Sequence, residues 1–107
     1  VYTNGSNNQS FYIASFGNYS SVRILGSHSN VNSGAIDFTI YGNMGDFVAK
    51  GNAGQNGYDI KVYKKDSKIY LFFPTGISVN VILVGGLGKL IQEAIPEGAT
   101  QLTVSPY

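Results

Sequence analysis

Ala35-Ile36-Asp37-Phe38-Thr39-Ile40-Tyr41 decides the fold class of this chain. Ile36, Phe38 and Ile40 take every second position, with Asp37, Thr39 and Tyr41 between and after them. A strand turns successive side chains to opposite faces, whereas a helix would spread these apolar groups around its circumference. The stretch reads as a β-strand with one apolar face. The same beat recurs on either side. Residues 10–16 set Phe11, Ile13 and Ser15 against Tyr12, Ala14 and Phe16. Residues 21–26 carry Val22, Ile24 and Leu25, and residues 45–50 centre on Phe47 and Val48. Residues 58–64 set Tyr58, Ile60 and Val62 against Asp59, Lys61 and Tyr63. Lys65-Asp66-Ser67-Lys68 then reads as a hairpin turn that returns the chain through residues 69–73.

Further strands are expected over residues 77–84, 90–93 and 101–105, the last with Leu102 and Val104 inward. Residues 88–95 have enough helix formers for two turns of helix, but a strand fits the surrounding pattern better. The clusters between strands are rich in Gly, Asn and Ser, as in Gly51-Asn52-Ala53-Gly54-Gln55-Asn56-Gly57, and read as loops. Eight or nine short strands with such breaks predict an all-β antiparallel sandwich, jelly-roll-like. Residues 1–9 read as a lead-in and residues 10–107 as the sandwich domain. A start on Val1 without Met is what a piece of a longer polypeptide would show.

Composition narrows the function classes. Charged residues make up 12% of the 107, about half the usual share of roughly 25%. Formal net charge is +1, too balanced for an expected nucleic-acid partner. The absence of cysteine excludes disulfides, thiol nucleophiles and thiolate-bound zinc. The longest apolar run is far too short for a membrane span, so no membrane insertion is expected.

Catalytic groups are sparse. His28 is the one histidine, in Gly26-Ser27-His28-Ser29-Asn30, and reads as a solvated loop residue rather than a catalytic base. Glycoside hydrolysis needs two carboxylates on one bond. Of the six acids, Asp37, Asp59 and Glu93 fall on expected strands, facing outward, and a pair such as Asp37 with Asp59 would have to meet across a sheet. Asp66 belongs to a turn, and Glu97 sits beside Pro96. Gly85-Gly86-Leu87-Gly88-Lys89 lacks the spacing of a phosphate loop and reads as a corner. No enzyme activity, cofactor or metal is expected.

Eight tyrosines stand against no tryptophan. Tyrosine offers a flat apolar face and a hydroxyl, which suits sugar stacking and subunit contacts as well as strands. The candidate binding residues are Tyr19, Tyr41 and Tyr58 at loop edges, with Asn43, Asn52, Gln55 and Asn56 as hydrogen-bonding neighbours. Those amides serve equally well as turn formers.

Phe11-Tyr12-Ile13-Ala14-Ser15-Phe16, followed by Gly17 and Ser20-Ser21-Val22-Arg23-Ile24, resembles the opening of C-terminal domains in bacteriophage tail fibres and tailspikes. Ala35-Ile36-Asp37-Phe38-Thr39-Ile40, Tyr58-Asp59-Ile60-Lys61-Val62-Tyr63 and Lys68-Ile69-Tyr70-Leu71-Phe72-Phe73-Pro74 are similar to the later strands of such domains, as are Val79-Asn80-Val81 and Gly85-Gly86. The resemblance runs through most of the chain from Ser10 and rests on loose strand patterns. It implies a homotrimeric sandwich at the distal end of a virion fibre, extracellular, clamping three chains and touching a host cell-surface glycan or lipopolysaccharide. Some fibre tips hold a metal through a His-x-His pair. His28-Ser29-Asn30 lacks the second histidine, so no metal is implied here.

Trimer formation also answers a physical need, because apolar residues fall on both faces of several strands, as in Tyr70-Leu71-Phe72-Phe73. Two other functions fit the same residues. One is a monomeric, lectin-like carbohydrate-binding module of a secreted bacterial protein. The other is a small glycoside hydrolase using paired carboxylates.

Overall fold

The computed structural model describes residues 2–3, 9–14, 20–28, 35–43, 46–55, 59–66, 68–74, 77–84 and 89–107, with the backbone alone at strand positions 2–3, 9–14, 20, 43, 77–84 and 89–90. The described chain is all β. Its strands are β1 (Tyr2–Thr3), β2 (Gln9–Ala14), β3 (Ser20–His28), β4 (Ala35–Asn43), β5 (Asp46–Asn52), β6 (Lys61–Lys65), β7 (Lys68–Phe73), β8 (Ile77–Val84), β9 (Lys89–Gln92), β10 (Thr100–Leu102) and β11 (Val104–Ser105). They form a six-stranded sheet in the order β1-β8-β3-β4-β5-β11 and a five-stranded sheet in the order β10-β6-β7-β2-β9.

The alternation in the sequence is what joins the two sheets. Val22, Ile24, Ile36, Phe38, Ile40 and Ala49 from the six-stranded sheet meet Val62, Ile69, Leu71 and Phe73 from the five-stranded sheet in one buried cluster. Ile60 and Ala53 join them from the connecting loop. Phe38 and Phe73 are its largest fully buried side chains. Each contributes about 1.5–3 kcal/mol by leaving water. Phe47, Leu102 and Val104 pack against the rim of this cluster. No buried side-chain polar atom among the described residues lacks a hydrogen-bond partner.

Register follows the same logic. Ile24 stands opposite Phe38 and Val22 opposite Ile40 between β3 and β4. Val62 opposes Leu71, which in turn opposes Phe11. β1 pairs with β8 and β2 with β7, a nested arrangement, while β4 and β5 extend the first sheet beyond β3 and β6 extends the second beyond β7. Lys65 and Lys68 are direct partners, which closes a tight hairpin whose loop begins at Asp66. Asp66 has φ 55°, the left-handed conformation such turns require at their first central residue.

Several expectations need correction. The strands number eleven among the described residues, because β1 forms within the expected lead-in and the tail strand divides into β10 and β11. The sheets are antiparallel with one exception, since β11 runs parallel to β5, Val104 opposite Ala49. The reason lies in the crossing of the tail. Residues 100–102 run antiparallel to β6 at one edge of the five-stranded sheet. Without reversing, the chain then steps to the six-stranded sheet and meets β5 travelling the same way. Gly51 and Asn52, expected in a loop, complete β5 opposite Phe38 and Asp37. Asp59 and Ile60 precede β6 instead of starting it, because the Ile60 amide donates to the Ala53 carbonyl at 2.9 Å and closes the loop. The corner at residues 85–88 lies outside the described residues.

Gly51 explains why β5 reaches so far. Its φ is 129°, and a Cβ there would overlap the Asp37 carbonyl oxygen and lie 2.6 Å from Phe38 Cα. Gly51→Ala is expected to cost about 2 kcal/mol or more, from strain and from the clash together. Urea denaturation checks this, with an unchanged midpoint arguing against the close approach. Asp66→Asn should leave the midpoint nearly unmoved, whereas Asp66→Val places a β-branched residue at positive φ and should lower it.

Candidate functional site

The β4–β5 hairpin carries most of the described candidate residues, but at opposite ends. Asn43 opposes Asp46 at one end and Asp37 opposes Asn52 at the other. Tyr41 and Asn52 are therefore separated by about four residues of strand, or about 13 Å at roughly 3.3 Å per residue. Gln55 follows Asn52 by three residues and is exposed. Tyr19, Asn56 and Tyr58 lie outside the described residues. The expected site thus resolves into two surfaces, each with its own chemistry.

The first is apolar. Tyr41 and Val48 are direct cross-strand partners on the face of the six-stranded sheet turned away from the core. They are 43% and 41% exposed, among the few large apolar side chains so open. Leu25, half-buried, sits on the same face of β3. The neighbouring polar positions are tied to one another. Arg23 Nε donates to Asp37 Oδ1 at 3.1 Å and Nη2 donates to Oδ2 at 3.0 Å, a bidentate pair between β3 and β4. The Arg23 hydrogen bond holds the Asp37 carboxyl below the usual carboxylate range, and Asp37 in turn raises Arg23. Thr39 Oγ1 and the Tyr107 hydroxyl lie 3.2 Å apart, so the last residue folds back onto this face.

The second surface is a cleft of about 350 Å3, lined by polar and apolar groups alike, where the tail crosses between the sheets. It is lined by residues 51–54, 59–61 and 101–104 and by Pro106. Its existence follows from the turn chemistry around Asn52. The Asn52 Nδ2 donates to the Ala35 carbonyl at 2.6 Å, and Oδ1 accepts from the Gly54 amide at 3.1 Å. The turn-forming role of Asn52 is thereby established, and its amide shapes the cleft wall.

Asp59 lines this cleft, but Asp37 and Glu93 do not. Asp37 is committed to Arg23, and a carboxyl held low by an ion pair is poorly suited to donate a proton. Asp59 and Glu93 also fall outside the strands on which they were expected, before β6 and after β9. His28 ends β3, half-buried, and is a strand residue instead of a loop residue. Among the described residues, no three His, Asp or Glu side chains gather as a metal site would need, and no helix is long and apolar enough to cross a membrane. Two features of the site escaped the sequence, the Arg23–Asp37 pair and the contribution of Gln101 and Thr103. Both depend on strand register, and their one signal was alternation that put them on outward or edge positions.

No family model, curated protein or solved structure matches the chain.

The Arg23–Asp37 pair gives a pH prediction. Because the folded Asp37 pKa is lowered, its contribution is present above the unfolded value of about 3.9 and fades as pH falls through the folded value. Asp37→Asn should therefore reduce Tm slightly at neutral pH and converge with the parent once pH falls below the lowered folded value. Thermal melts across that range test it, and a gap that persists in acid would rule the ion pair out as its source. Asn52→Ala should cost about 1–2 kcal/mol through two lost hydrogen bonds.

Proposed function

We propose that this chain is the C-terminal trimerisation and host receptor-binding domain of a phage tail fibre or tailspike, displayed on the virion and contacting cell-surface polysaccharide without catalysis. The observation that carries this proposal is the Tyr41–Val48 pair. Two large apolar side chains stand side by side on an outer sheet face, each about two-fifths exposed. Strand register continues that row through Ser21 to Val84. A chain with so few charges has little electrostatic repulsion to keep copies of such a face apart. Sister copies are its natural cover, and obligate interfaces resemble a core cut in half.

The ligand-binding half of the proposal rests on the cleft. Its amide and hydroxyl groups, from Gln101 and Thr103, match the neutral donors and acceptors of a sugar. The nested β1–β8 and β2–β7 pairs support a jelly-roll-like winding within the sandwich. That cleft is complete within one chain, which also suits a monomeric lectin-like module. Mass in solution separates the two functions.

Light scattering on the purified domain should give three times the mass of the 11.5 kDa chain. Tyr41→Asp combined with Val48→Lys should shift it to the monomer without loss of strand content by circular dichroism. A parent protein that is monomeric at micromolar concentration would remove the fibre assignment and favour the lectin-like module.

A further inference from the structure

Five of the seven cationic residues, Lys61, Lys64, Lys65, Lys68 and Lys89, belong to strands of the five-stranded sheet, whose described residues include no acid. Two of these lysines meet beside the turn between β6 and β7. A pocket of about 330 Å3 lies there, lined by Lys64, Lys65, Asp66, Gly98, Thr100 and Leu102. It lies on the other side of β10 from the cleft at the tail crossing, and both touch Leu102.

Strand phase and one glycine bring the two cations together. Leu102 packs against the core and stands opposite Val62, so Lys64 and its cross-strand partner Thr100 share the inward phase two residues further on. Lys64 reaches past the rim of the core, where its ammonium lies 6.0 Å from the centre of the Phe47 ring. Lys65 has the opposite phase, yet its ammonium approaches from the tail side, since a Cβ at Gly98 would lie 3.0 Å from Lys65 Nζ. Gly98 takes φ 84° in a turn that the Ala99 amide closes on the Pro96 carbonyl at 3.3 Å. A residue without a side chain keeps that place clear for the ammonium. Both lysines are half-buried, and among the described residues neither is ion-paired. Asp46 and Glu97, chain neighbours of Phe47 and Gly98, do not line the pocket. Half-buried ammonium groups beside an aromatic ring are stabilised by a counter-ion, and here a ligand can supply it.

We propose that this pocket binds a sugar unit carrying one negative charge, a carboxylate or a sulfate ester, held between the Lys64 and Lys65 ammonium groups. The charge count sets the class of ligand. Two lysines against one aspartate leave the lining with one positive charge, which a single anionic group neutralises and a doubly charged phosphate overcompensates. Asp66 accepts hydrogen bonds and donates none, so it suits a ligand with hydroxyls to give. A bare ion has none, whereas an acidic sugar has several. Thr100 both donates and accepts, and Leu102 offers an apolar contact for the ring. The volume stands at the small end of the roughly 300–1,000 Å3 usual for ligand sites, which favours a single sugar unit. The proposal rests on the glycan-binding function above and adds a second, charged subsite to it.

Backbone-amide NMR titration of the protein with glucuronate, a sulfated glucose, glucose and inorganic phosphate, all at constant ionic strength, tests this. Glucuronate or the sulfated sugar should shift the Asp66, Gly98 and Thr100 amides saturably, and the tighter of the two identifies the acidic group. Lys65→Gln and Lys64→Gln should each weaken that binding at least about tenfold, the contribution of one charge-assisted hydrogen bond. Lys50→Gln removes the same charge from the other sheet and should leave it unchanged. Equal shifts with glucose or with inorganic phosphate would overturn the inference, as would an equal loss in Lys50→Gln. Failure of these amides to shift with either acidic sugar would overturn the inference alone, because glycan binding at the cleft is read separately from Gln101 and Thr103. The shift map of the parent protein holds whatever the variants' folding.

Discussion

The constraint on which the rest depends is strand phase. Ile24, Phe38, Val62 and Leu71 face one another across the sandwich only because each strand is held in a single register. A slip of one residue in β4 would carry Asp37 and Thr39 into the core and expose Phe38. The cost of that exchange, a carboxyl buried without a partner and a phenyl ring returned to water, is several kcal/mol and a large share of an ordinary domain's stability. Every surface described above inherits its composition from this single choice. The Arg23–Asp37 pair and the Tyr41–Val48 patch are what remains outside once the core has taken its alternate residues.

Much of the fold was legible for this reason. Where alternation is clean, as at Ile36-Asp37-Phe38-Thr39-Ile40, the sequence specifies both the strand and its buried face. The hairpin at Lys65-Asp66-Ser67-Lys68 was readable because turn chemistry is local. What a single strand's pattern does not contain is its neighbour. The parallel pairing of β11 with β5 and the division of the tail at Thr103 arise from where the tail meets two sheet edges, a long-range event. Gly51 misled for a related reason, since glycine usually breaks strands but here allows Phe38's backbone to approach.

The site was less legible than the fold. Tyr41 and Asn52 were both singled out, yet register places them at opposite ends of one hairpin. Asn52 turned out to hold the loop that shapes the cleft, a role its residue type allowed but could not distinguish from ligand contact. The uneven division of lysines was present in the sequence from the start, in Lys61, Lys64, Lys65, Lys68 and Lys89. It became visible only when topology put their strands into one sheet and Asp37 and Asp46 into the other. A formal charge of +1 thus describes the chain poorly, because the strands of the two sheets differ in sign balance.

The crossing of the tail has a consequence for biosynthesis. Residues 100–105 cover one edge of each sheet, beside β6 and beside β5. As the polypeptide leaves a ribosome, both edges stand bare until Ser105 has emerged. Open edges are templates for pairing with other nascent copies. In a protein made on clustered ribosomes, the interval between the appearance of β6 and the arrival of the tail is when sibling chains are most prone to pair edge to edge.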